Sequence, residues 1–210
     1  MPLRKAAKSL ASLMFRAAVF PAALLTGFGR WREAYTFFAH HFAGYSGILG
    51  SYLRVAYYQL TLEKVGDDCH IALGSFFANP QSSMGNRVGI GAYCVLGQVS
   101  LGDGTIMATG VQIISGSRQH LRDEHGHLTD VGRNFDRIKI GQECWLGAGA
   151  IVMADLGDMV TVALGSVVFR DVPSGAMVAG NPARLIPRSV QRANRSTSLE
   201  GRNEATQAGL

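Results

Sequence analysis

The sequence predicts an all-β domain, a parallel β-helix of hexapeptide repeats, with a helical segment ahead of it. Three observations carry that prediction. Aliphatic residues recur at a step of about six from residue 84 onward. A small residue follows most of them. Neither feature occurs in the first sixty residues, where apolar positions fall at helical spacing.

The ladder reads Met84, Ile90, Leu96, Leu101, Met107, Ile113 and then, after a gap, Ile140, Leu146, Val152, Leu156, Val162, Val168. A period of six fits neither the 3.6-residue helix nor the two-residue strand alternation. It fits a parallel β-helix, in which each repeat supplies one short strand and one corner. The rung side chain points into the prism and stacks on the rungs above and below. Stacked coils thereby bury a core that no single repeat could bury alone.

The residue after the rung is small in nine of twelve cases, as at Gly85, Gly91, Gly141 and Gly147. The chain bends there, and a side chain would clash. Four after most rungs stands a second small residue, such as Val88, Cys94, Ser100, Thr105, Cys144 or Ser166. These also point inward, where space is tight. The steps Leu96–Leu101 and Val152–Leu156 read as shortened corners.

Three units follow. Residues 1–62 form a basic, apolar helical segment, residues 63–187 the β-helix with a loop at 118–137, and residues 188–210 a polar, disordered tail. In the first unit, apolar spacing around Leu49, Leu53, Tyr57 and Leu60 predicts one to three helices, and His40 and His41 read as packing or surface residues.

Composition sets outer bounds. With 47% hydrophobic and 17% charged residues, the chain can bury a sizeable core. Three widely spaced cysteines, with no CxxC, point to unpaired thiols in a reducing, cytoplasmic setting. Cys94 and Cys144 read as small buried fillers. The net charge of +5 is uneven, because Arg4, Lys5, Lys8, Arg16, Arg30 and Arg32 all precede the first acid, Glu33. The uncharged run from Ala17 to Gly29 is too short to span a bilayer. Three roles stay open for this segment: a cleaved signal, whose apolar core Arg16 interrupts, and two that are compatible with each other, a cap on the domain and a helix lying on the acidic inner face of a membrane. The chain shows no phosphate loop, dinucleotide fingerprint or nucleic-acid motif.

The ladder breaks between Ile113 and Ile140, where "ISGSRQHLRDEHGHLTDVGRNFDR" runs polar. Solenoids throw such insertions out on one face, usually the binding face. His120 stands near the base of the loop, with His125 and His127 further along. A neutral histidine can act as a general base, taking a proton from an attacking group and returning it to a leaving group.

The segment "IKIGQECWLGAGAIVMADLGDMVTVALGSVVFRDVPSGAMVAGNPARLI" resembles the C-terminal half of the hexapeptide-repeat acyltransferases, a family that includes galactoside, maltose, xenobiotic and polysaccharide O-acetyltransferases. The resemblance covers residues 65–187 at the level of the pattern and implies a left-handed β-helix. It also implies an acetyl-CoA-dependent O-acetyltransferase acting on a sugar or glycan precursor in surface polysaccharide or glycolipid synthesis, a homotrimer, and no metal. Among the loop histidines it singles out His120 as general base, although Gln119-His120-Leu121 departs from the family's usual tripeptide. Acetyl-CoA would meet Trp145, Ala148, Leu164, Phe169, Arg170 and Arg184, the two arginines near its phosphates. Phe169 stands where the family usually has threonine. Asn79 or Asn86 would contact the acceptor, and a corner role suits either equally.

Two other readings come from different classes. One is a β-helix zinc carbonic anhydrase, since His120 and His125 are five apart; Met84 stands about where its third histidine belongs. The other is a trimeric scaffold without chemistry.

Overall fold

The structure, a computed structural model, describes residues 2–115, 121–129 and 136–187. Three helices, α1 (Pro2–Leu25), α2 (Arg32–Ala43) and α3 (Gly47–Thr61), precede a parallel β-helix that begins at Lys64. The β-helix has three faces. Face I stacks Val65, Met84, Leu101 and Ile140, continued by bridges to Leu156 and Val172. Face II stacks Ile71, Ile90, Met107, Leu146, Val162 and Val178. Face III stacks Phe77, Leu96, Ile113, Val152 and Val168. Apart from partly buried Val65, these rungs are buried, so the predicted ladder is the core itself.

The period is strict on two edges and irregular on the third. Every step from face I to face II, such as Met84 to Ile90, and every step from II to III, such as Ile90 to Leu96, spans six residues. From face III to face I the step varies: seven from Phe77 to Met84, five from Leu96 to Leu101, 27 from Ile113 to Ile140, and four from both Val152 to Leu156 and Val168 to Val172. The residues after the rung follow the same division. Ile114, Met153 and Phe169, the three that are not small, all lie on the III–I edge. On the other edges the corner backbones of successive coils nearly touch. A Cβ on Gly91 would stand 2.5 Å from the Ala108 carbonyl carbon, and one on Gly141 2.5 Å from that of Gly157. The clash that forbids a larger residue is therefore with the next coil.

The second small slot lies two residues before the next rung. Where a corner is shortened this differs from four after the last one. Val99, fully buried, fills it before Leu101, whereas Ser100 faces outward and pairs with Ser83 at 2.7 Å. Ser100 was expected inward; the short corner shifts the register by one, and one residue reverses the side. Polar occupants of the slot hold the corners. Thr105 donates to the Gly141 carbonyl and accepts the Cys144 N–H, and Ser75 does the same with Gly91 and Cys94. The Cys94 and Cys144 thiols donate to Ala108 and Gly157 carbonyls.

The helices close the open edge of the first coil. That coil has no neighbour below it, so its outward-facing N–H and C=O groups would be orphaned. Phe77 gives its N–H to the Tyr58 hydroxyl and receives the Tyr35 hydroxyl on its carbonyl. Ile71 gives its N–H to Ser51 and receives Arg54 Nε at 2.9 Å. Arg54, 1% exposed, also donates to the carbonyls of Phe42, Ala43 and Tyr45 at the end of α2. These bonds decide which side of α3 is buried. Gly50, Ser51, Arg54, Tyr57, Tyr58 and Thr61 face inward, and Leu49, part of the apolar stripe expected from spacing, is exposed. His40 packs edge-on against Phe76, and His41 bonds the Tyr45 hydroxyl.

Candidate active site

The polar loop leaves the III–I edge. Its root is fixed from both sides. Ser115 accepts the Gln98 N–H, and Arg137 returns to pair with Glu63 at 2.6 Å. Between them Leu121–Arg122 pairs antiparallel with Leu128–Thr129. Asp123 holds the turn of this hairpin, accepting the N–H groups of His125 and His127 at 2.9 Å each. Both imidazoles stand in solvent at its tip, beside Glu124 and Asp123 respectively. His120 lies outside the described residues, one position before the hairpin.

The six residues expected at the cofactor fall into three places. Phe169, Arg170 and Arg184 line one cleft of about 460 Å³ at the far end of the prism, with Asp171 and Pro182. Phe169 and Arg170 sit on the III–I edge two coils beyond the loop. Arg184 arrives on a strand, Arg184–Leu185, that runs antiparallel to Met177–Ala179. Its Nη1 donates to the Ala183 carbonyl at 3.2 Å. Asp171 turns a carboxylate oxygen to the Asp155 N–H at 3.0 Å. Ala148 and Leu164 are neighbours on the II–III corner, joined by the bond from Gly165 N–H to the Ala148 carbonyl. Trp145 lies on the outer side of face II between Ile106 and Thr161. Trp145 and Leu164 expose 46% and 74% of their surfaces, so an apolar strip faces outward there. Within one chain this strip does not share the edge that carries the loop.

The two asparagines have distinct corner roles. Asn79, on the III–I edge beside the loop root, accepts the Gln81 N–H at 2.8 Å and donates to Gln98. Asn86 is on the I–II corner. Its carboxamide accepts the Asp67 N–H and donates to Asp103, at 3.0 Å each, so both its ends are engaged. Asp103 receives the Asn86 N–H as well, and these two bonds hold its carboxyl below the ordinary range. Met84 is a fully buried rung of face I, where a histidine would face a dry core and not a zinc ion.

Burial pushes the Cys94 and Cys144 thiols up, which makes them poor nucleophiles. The group that reasoning from sequence overlooked is Asp171, an acid inside an arginine-lined cleft. Another signal was present and unused: the three large residues after rungs, Ile114, Met153 and Phe169, already marked one edge as different.

Comparison with known proteins adds to this geometry. Residues 137–170 match the family model described as the hexapeptide repeat of succinyl-transferase. The chain is 34% identical over 138 residues to nodulation protein L of Rhizobium leguminosarum bv. viciae, covering 60% of this chain and 70% of that protein. It is 34% identical over 95 residues to serine acetyltransferase 2 of Arabidopsis thaliana, covering 42% of this chain and 26% of that one. The chain spans about half the length of several other curated relatives. A solved galactoside acetyltransferase in complex with coenzyme A shares the fold, with a TM-score of 0.56 and 19% identity over 77% of this chain and 82% of that one.

Proposed function

The chain belongs to the hexapeptide-repeat acyltransferases, and from that we propose that it transfers an acetyl group from acetyl-CoA to a hydroxyl of a sugar or glycan precursor. One observation carries the proposal beyond fold. The loop that contains His120 and the cleft that holds Arg170 and Arg184 open on the same edge of the prism, two coils apart, which is about 10 Å. An elongated ligand with phosphates at one end and a reactive carbonyl at the other suits such an edge.

The reaction follows from these groups. His120 accepts the proton of the acceptor hydroxyl as its oxygen attacks the thioester carbonyl. A backbone N–H at the open coil edge stabilises the tetrahedral oxyanion. The C–S bond then breaks, the proton passes from the imidazolium to the departing sulfur, and ester and free thiol leave. No acyl-enzyme forms, in keeping with the high-pKa buried thiols. Arg170 and Arg184 hold phosphate as charge-assisted hydrogen-bond donors. Asn79, beside the loop root, is the better placed of the two asparagines for the acceptor, because Asn86 is committed on another corner.

Trp145, Ala148 and Leu164 reach the thioester arm only from a neighbouring copy, since they lie off the loop's edge in their own chain. A heterologous contact of one edge on the next copy's face closes as a three-membered ring when successive copies turn by a third of a revolution. The proposed assembly is a homotrimer, with each cofactor groove shared by two chains.

The test is thiol release from acetyl-CoA against a panel of sugars, sugar nucleotides and glycan fragments, with serine and simple amines as controls. Turnover with a sugar hydroxyl is expected. Turnover confined to amines or serine would overturn the acceptor class, and no acetyl-CoA hydrolysis or transfer with any acceptor would overturn the reaction.

A further inference from the structure

The helical cap has a second surface that the closure of the β-helix does not use. α1 packs against α3 through Val19, Ala22 and Ala23, and Phe15 stacks on Tyr52 at 5.1 Å. The opposite side of α1 is also apolar. Leu13, Met14, Phe20, Leu24 and Leu25 face outward with 47% to 65% of their surfaces exposed. Phe28 and Trp31 continue the patch past the end of the helix, and Phe20 meets Phe28 edge-on at 5.9 Å. A surface helix of a globular protein ordinarily turns a polar face to water. Here one charge, Arg16, stands between Ala11 and Gly29. An exposed patch of this kind marks an interaction site.

Charge decides among possible occupants. The patch is framed by Arg16 on the helix and by Arg30 and Arg32 beyond it, and Arg4, Lys5 and Lys8 precede it in the same helix. No acid occurs before Glu33. A second copy of the chain would set these six cations against the same six. A bilayer surface carrying anionic headgroups offers both the opposite charge and an apolar layer a few ångströms deeper. No helix among the described residues is long and apolar enough to cross a membrane. We therefore propose that the outer face of α1, from Leu13 through Trp31, lies in the plane of an anionic lipid surface. Trp31 and Phe28 would sit at headgroup level, and the β-helix would be held beside the membrane. This placement stands apart from the acyltransfer reading, and its test reads binding alone.

The test is co-sedimentation of the full chain with vesicles of phosphatidylcholine, with or without about a third phosphatidylglycerol, at low and high salt. Binding is expected to the phosphatidylglycerol vesicles, to weaken with salt, and to be much lower on phosphatidylcholine alone. Leu13→Glu with Leu24→Glu should lower partitioning at least about tenfold by removing the apolar contact. Arg16→Glu with Arg30→Glu should lower it by about fivefold or more per arginine and keeps the test open if the first pair fails to fold. Both pairs should leave molar mass unchanged by light scattering. No binding to phosphatidylglycerol vesicles, equal binding to both lipids, or wild-type binding by the folded variants would overturn the proposal. So would a smaller assembly in either pair, which would assign the face to contact between copies.

Discussion

Arg184→Ala tests the cofactor end of the site most directly. The arginine lines a cleft of about 460 Å³ with Arg170 and Phe169, and its Nη1 donates to the adjacent Ala183 carbonyl at 3.2 Å. That bond is long and easily exchanged for a phosphate oxygen. A hydrogen bond to a charged group contributes about 1.5–3 kcal/mol. Arg184 is exposed, so the lower end applies, and about 1.4 kcal/mol corresponds to a tenfold change. The KM for acetyl-CoA should therefore rise about tenfold with kcat nearly constant, because a phosphate contact is the same in ground and transition states. Arg170→Ala should act alike. The double variant should fall short of the product of the two, since the side chains share one ligand. The assay is thiol release at saturating acceptor, run in parallel with acetyl-pantetheine, which lacks the phosphates of the nucleotide end. Turnover of acetyl-pantetheine should be the same for wild type and Arg184→Ala. A loss of kcat at saturating acetyl-CoA, or an equal loss with acetyl-pantetheine, would refute the assignment.

Four further outcomes are expected. His120→Ala should lower kcat by about 10²–10⁴-fold with little change in KM for acetyl-CoA, while His125→Ala and His127→Ala retain most activity; wild-type kcat/KM should fall on the acid side as the base is protonated, and His120→Ala should lose that limb. Light scattering should give three times the chain mass at micromolar concentration, and a monomer would undo the shared groove. Arg54→Met should destabilise the chain by about 3–5 kcal/mol in denaturant titration, because the buried carbonyls of Ile71 and Phe42 lose their donor. Asp103 contributes stability that is present above its unfolded pKa of about 3.9 and is lost as pH falls through its lower folded value. Acid titration of Asp103→Asn should accordingly show a shallower loss between those values than wild type.

The β-helix was legible because its cause is local. A rung must be aliphatic to stack and its successor small to clear the next coil, and both demands recur every six residues. The same logic failed at Ser100, where spacing was counted from the rung behind and the structure counts to the rung ahead. It failed at Leu49 for another reason. Hydrophobic periodicity assumes that a helix buries its most apolar side, and α3 instead buries Ser51, Arg54 and two tyrosines. The site was legible in part. Arg170 and Arg184 were named through the family resemblance, but that their cleft and the root of the loop share one edge was not foreseen, because that edge is the one without a fixed period.

The sequence by itself determined the solenoid, its core, the exit point of the loop and the basic, apolar character of the first thirty residues. Each of these follows from residue type and spacing along the chain. Tertiary structure alone decided which residues meet across coils. It brought Phe169, Arg170 and Arg184 into one cleft and placed Trp145 on a face away from the loop. It also showed why the cap carries polar groups inside and leucines outside. The unpaired edge of the first coil requires hydrogen-bond donors and acceptors from the helices that cover it. Those polar side chains claim the buried side of α3, while α1, packed against it, keeps an apolar face outward.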